Sequence, residues 1–99
     1  VSNNFRFSAK AKKDLLQIAR HTELKRGRSQ RDHYIKQLDQ AFSLIAENPK
    51  LGTNLSHVLT GYRSFQQASQ VIYYRELAMI EIIRILHKQM DVGLHFKKA

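Results

Sequence analysis

Apolar residues recur at helical spacing in the first half of the chain and at strand spacing in the second. From Ala11 the inward positions are Ala11, Leu15, Ile18, Ala19 and Thr22. Steps of three and four place them on one stripe of a helix. Lys10, Lys12, Lys13, Asp14, Gln17 and Arg20 make the opposite, polar face. Ser8 is placed to cap this helix, which should end near Lys25, before Gly27. A second stripe, Tyr34, Leu38, Ala41, Phe42 and Ile45, follows a start at Ser29, with Asp32 in a capping-box position. Asn48-Pro49 and Gly52 end it. Two amphipathic helices joined by a few residues predict an antiparallel hairpin with one apolar side.

The strands bracket this hairpin. Asn4–Phe7 places Phe5 and Phe7 on one face and Arg6 on the other, a short first strand. Leu55–Thr60 has no clear period and reads as an irregular link. Tyr62–Phe65, Gln70–Arg75 and Met79–His87 are rich in β-formers. The short turns "QQAS" and "ELA" join them into an antiparallel meander. The expected order is β-α-α-β-β-β in a single domain over residues 1–99. Its class is α+β: an antiparallel sheet with an α-helical hairpin packed on one face. The other sheet face is left for a partner. The tail "VGLHFKKA" has no period.

Charge sharpens this picture. Seventeen lysines and arginines face eight acidic residues, a net charge of +9. Such a field attracts polyanions: nucleic acid, an acidic protein segment, or a protein that itself handles nucleic acid. There is no cysteine, so disulfide and thiolate chemistry do not arise. No apolar run approaches the roughly 20 residues that cross a bilayer, and "VSNNFRFSAKAKKD" has no signal-peptide core. A cytoplasmic location without a membrane is expected.

One residue is out of place. Arg84 interrupts "IEIIRILH", and a buried unpaired guanidinium is costly. Strand period puts it on a face with Ile82 and Leu86, and Glu81 on the other. Arg84 therefore pairs with a carboxylate, with Asp39 and Asp91 as candidates, or it points out of the open face. Arg63 and Arg75 flank the middle strands. Beside Arg84, with Tyr62, Tyr73 and Tyr74 interleaved, they would make a basic strip of the kind found at interface hot spots. The same tyrosines suit an ordinary core. The helical cations suit a solvated face, and would also speed capture of an acidic partner.

Several stretches in this order resemble the ParE toxins of the RelE/ParE superfamily. They are "AKKDLLQIA", "ENPKLG", "GYRSFQQASQVIYYR" and "IEIIRILHKQMD", within Phe5 to Asp91. The resemblance implies a toxin of a type II toxin–antitoxin module that poisons DNA gyrase and blocks replication. It also implies a ParD-like antitoxin with an acidic C-terminal segment, and contact with operator DNA only through that antitoxin. On this basis Arg63, Tyr73, Arg75, Arg84, Leu15 and Ile18 are expected to bind antitoxin. His87, Lys88, Met90, Phe96, Lys97 and Lys98 are expected to touch the target.

The rival within the superfamily is the RelE branch, whose members cut mRNA on the ribosome. Metal-free RNA cleavage needs a base, an acid and cations for the phosphate. The turn Gln66, Gln67, Ala68, Ser69 lacks the arginine of that pattern. The segment after the last strand offers His87, Lys88 and His95 but no tyrosine. No catalytic residue and no cofactor is therefore expected. His87, Asp91 and His95 have a spacing that suits zinc on a helix, but Gly93 interrupts it, so no metal site is expected. A third possibility is a relative that binds antitoxin but has lost toxicity.

Overall fold

A computed structural model of the chain describes residues 5–89. The elements are β1 (Phe5–Phe7), α1 (Ala9–Arg26), α2 (Arg28–Glu47), a 3-10 turn (Pro49–Leu51), β2 (Thr53–Asn54), β3 (Tyr62–Gln67), β4 (Gln70–Glu76) and β5 (Ile80–His87). One sheet runs in the order β1-β5-β4-β3-β2. β3, β4 and β5 form the expected antiparallel meander. β1 departs from expectation by pairing parallel to β5, with Phe5 beside Ile80 and Phe7 beside Ile82. The sheet is therefore mixed. The helical hairpin carries the chain over the sheet between β1 and the meander, so β1 joins from the far edge in the same direction as β5.

Packing on the helix side follows the two stripes. Ala11, Leu38, Ala41, Phe42 and Ile45 meet Ile72, Tyr74, Ile80, Ile82 and Ile85 in one buried cluster. Phe42 anchors β1, with its ring 5.1 Å from Phe7 and 5.8 Å from Phe5. Edge and tilted aromatic contacts of this kind add to the area term.

The hairpin bend is tighter than expected. A single residue, Gly27, separates the helices, and its φ of 90° is one that glycine adopts without strain. α2 thus begins at Arg28, not Ser29, and no capping box forms. Asp32 instead pairs with Arg31, which reaches back to Glu23 of α1 at 2.7 Å. Between β3 and β4 the turn is also shorter than expected. Gln66 and Gln67 are strand, and Ala68-Ser69 turns with Ala68 at φ 55°. A two-residue turn with positive φ matches the twist of the strands it joins.

The outer sheet face is not fully open. Tyr73 and Leu86 are buried there, with Leu55, Leu59, Tyr62, Val71 and Ile83 packed around them. Thr53–Asn54 form an unexpected short strand, β2, paired with β3. The link Leu55–Thr60 that follows is irregular, as expected. It folds through Leu55 and Leu59, held by the bonds Leu59 N–H to Leu55 O and Tyr62 N–H to Leu59 O.

Candidate partner-binding groove

Arg84 pairs with Asp14. The contact is bidentate: Nε to Oδ2 at 2.8 Å and Nη2 to Oδ1 at 3.0 Å. Neither Asp39 nor Asp91 is needed, and Asp14 is buried, not on the solvated face of α1. The physical reason is an unfinished strand edge. β1 covers β5 only as far as Ile82. Ser8 then takes over: its N–H donates to Ile82 O, and its hydroxyl to Ile83 O at 2.7 Å while capping α1 through Ala11 N–H. Next along the edge, Ile85 N–H donates to Asp14 Oδ2 at 3.0 Å. One carboxylate thus satisfies both an edge amide and the guanidinium, and the Asp14 hydrogen bond raises the Arg84 pKa above its usual value.

A bulge brings Arg84 to this position. Tyr73 pairs with Arg84, but Tyr74 pairs with Ile82, so Ile83 is the extra residue. A bulge breaks the period-two alternation. Ile82 therefore packs under the helices while Leu86 lies on the outer face.

Beside this pair a groove of about 420 Å³ runs between α1 and the end of β5. Ile18, Ile85 and Leu86 give it apolar lining, while His21, Gln70 and His87 add polar groups and Asp14–Arg84 lies within it. It is a concave, half-apolar surface with a few placed polar groups, suited to holding a side chain or helix edge of a partner.

A family model described as "ParE toxin of type II toxin-antitoxin system, parDE" matches residues 5–92. The chain belongs to the ParE toxin family. It is 35% identical over 91 residues to Toxin ParE1 of Caulobacter vibrioides, covering 92% of this chain and 95% of that one. It is 30% identical over 94 residues to Toxin ParE1 of Mycobacterium tuberculosis, covering 93% and 96%. A solved chain from "Chromosomal ParDE TA system from P. aeruginosa" superposes with a TM-score of 0.73 at 17% identity, over 84% of this chain and 92% of that chain. That likeness supports the α+β fold.

On this ParE fold the expected site residues are separated. Arg84 and Ile18 line the groove together, and Leu15 packs against the core cluster beside them. Arg63 lies level with Tyr74 and donates to Gly52 O at 2.8 Å. Arg75 lies level with Tyr62 and pairs with Glu81 at 3.0 Å. Tyr73 is buried on the outer face, where burial raises its pKa. No strip of Arg63, Arg75 and Arg84 forms, because each is bound to a different internal acceptor and the strand alternation puts Arg63 and Arg75 on opposite faces. Of the expected target residues, His87 lines the groove and Lys88 is exposed, its N–H bonded to Ser69 O. Met90, Phe96, Lys97 and Lys98 lie outside the described residues, as do Asp91 and His95 of the zinc spacing. Among the described residues no three potential ligands cluster for a metal, and no helix is long and apolar enough to cross a membrane.

Asp14, Gln17 and His21 also line the groove, beyond the residues expected to bind a partner. Asp14 carried a signal in the sequence. It is three residues from Ala11 and four from Ile18, within the apolar stripe, where a carboxylate needs a partner.

Proposed function

We propose that this ParE-family toxin acts by binding: it poisons DNA gyrase and is neutralised by a ParD-like antitoxin. The observation that carries the reading is the engagement of the sheet arginines. Arg63, Arg75 and Arg84 each hold an internal acceptor. Cations committed to structure are poorly placed to stabilise a phosphate in a transition state. A grooved binding surface is what remains beside them. The antitoxin's acidic segment runs along that groove, drawn by the net charge of +9. Ile18 and the rim of Arg84 are its contacts there. Arg63, bound to Gly52 O, and Arg75, paired with Glu81, lie off this groove and hold the fold. His87 and Lys88 belong to the target face, so an antitoxin seated in the groove covers His87 and competes with the target. Operator DNA is met through the antitoxin, and the protein works in the cytoplasm without a cofactor.

The test is a gyrase supercoiling and DNA-cleavage assay run beside a ribosome-dependent mRNA-cleavage assay. Accumulated cleaved DNA with intact mRNA, reversed by antitoxin, is expected. Cut mRNA with intact DNA would overturn the reading and make His87 and Lys88 catalytic candidates. Inactivity in both, with antitoxin still bound, would assign the chain to a non-toxic, antitoxin-binding role.

A further inference from the structure

A second recess of about 320 Å³ adjoins the groove and shares His21, Thr22, Gln70 and His87 with it. It is bounded by α1, α2 and the ends of β4 and β5. Arg26, Gln30, Tyr34 and Ser69 complete its polar lining, and no carboxylate among the described residues lines it. Tyr34 carries the informative feature. Its hydroxyl is buried, and among the described residues it is the buried side-chain polar atom without a hydrogen-bond partner. Buried hydroxyls are nearly always partnered, so an orphan needs an explanation. Around it stand an arginine, two histidines and two glutamines, groups that donate to an anion.

We propose that this recess is a carboxylate subsite, which takes one acidic side chain of the antitoxin segment lying in the groove. Tyr34 Oη, the Arg26 guanidinium and the side chains of Gln30 and Gln70 are the donors. A peptide carboxylate fits better than a nucleic-acid phosphate for two reasons. The recess opens into an apolar-lined groove, which receives peptide side chains and not a charged backbone. One arginine also matches one carboxylate, whereas a bound strand needs a track of cations. The inference rests on the antitoxin reading above and adds to it the position where acidity is read.

Tyr34→Phe and Arg26→Gln test it, with affinity for full-length cognate antitoxin measured by calorimetry and the melting temperature of the free toxin measured alongside. Tyr34→Phe removes an unpartnered hydroxyl, so the free toxin should melt no lower than wild type. Affinity should fall about tenfold for either variant, the loss expected for a hydrogen bond to a charged group. A lower melting temperature for Tyr34→Phe would place the hydroxyl's partner within the chain and overturn the subsite. Unchanged affinity in both variants would leave a water as the occupant and overturn the subsite alone. No binding by wild type would overturn the antitoxin reading itself, and the subsite with it. Loss of affinity for a single-stranded oligonucleotide, with antitoxin affinity intact, would reassign the recess to phosphate.

Discussion

The two ends of the helix–sheet layer are closed by opposite chemistry. At one end Tyr74 lies under the 3-10 turn, accepting from Gly52 N–H at 2.8 Å and donating to Pro49 O at 2.8 Å. Arg63 donates to Gly52 O from beside it. A Cβ on Gly52 would lie 2.5 Å from Tyr74 Oη and 2.7 Å from Ser64 O, so that end is sealed. At the other end Asp14 and Arg84 close the unfinished edge of β5 with charge, and a groove opens beside them. Both ends use a side chain to satisfy stray backbone groups. The sealed end is occupied by its own residues and serves stability. The open end leaves apolar and polar surface unfilled beside a salt bridge, and that is where a partner has something to gain.

The largest test breaks the open end. Asp14→Ala leaves Arg84 and the Ile85 amide without their acceptor. The pair is well shielded, with side chains 9% and 16% exposed. A loss of about 3 kcal/mol in urea unfolding is expected, the low end for a buried pair because Arg84 keeps a path to solvent through the groove. Arg84→Met added to Asp14→Ala should restore part of it, since the stranded charge is then gone and only the amide stays unpaired. If the double variant is no more stable than Asp14→Ala, stranded charge is not the source of the loss. For the same reason, charge reversal at Arg84 reports folding before it reports binding.

A smaller loss should come from the sealed end, and it should stay there. Gly52→Ala puts a methyl against a hydroxyl and a carbonyl. Overpacking of this sort costs about 2 kcal/mol. Antitoxin affinity of the folded variant should be unchanged, because the 3-10 turn lies at the far end of the strands from the groove. A parallel drop in affinity would mean that the two ends are coupled and would undo the contrast between them.

Much of this division was readable in advance, and the unreadable part has a physical cause. The apolar stripes of both helices and the β3–β5 meander follow from spacing alone, since burial enforces a period. The stretch "ENPKLG" is legible as a stop, but its role as a lid over Tyr74 depends on long-range contact. The parallel pairing of β1 is not legible in the sequence, because a three-residue strand carries no sign of its partner's direction. Arg84 is legible as an anomaly, but its partner is Asp14 on α1 and neither Asp39 nor Asp91, the candidates its sequence position suggests. Strand period assumes no bulge, and the extra residue Ile83 redirects everything after Ile82. Asp14 reads as part of the polar face because carboxylates usually belong there, although its spacing from Ala11 and Ile18 puts it on the stripe. The separate duties of Arg63 and Arg75 depend on register, which no local pattern supplies. His21 and Tyr34 converge on the recess through the bend at Gly27, one residue long where several were expected.

The smallest expected effect asks whether the seal at Tyr74 depends on its hydroxyl. Tyr74→Phe keeps the ring and strands Gly52 N–H and Pro49 O, a loss of about 1 kcal/mol at pH 8. Burial raises the Tyr74 pKa above 10.0, outweighing the Gly52 N–H that favours the phenolate. A raised acid holds its proton longer in the folded state than in the unfolded one. Its contribution is therefore fully present below about pH 10 and is lost as pH climbs through the folded value. Wild type should weaken above pH 10 through both Tyr73 and Tyr74, since burial raises both. The variant keeps only Tyr73 and should weaken less, so the gap between the two proteins should narrow. Urea midpoints at pH 8 and in the alkaline range would show this directly. A gap that holds constant would mean that the Tyr74 hydroxyl meets solvent, and the end described as sealed would then be open as well.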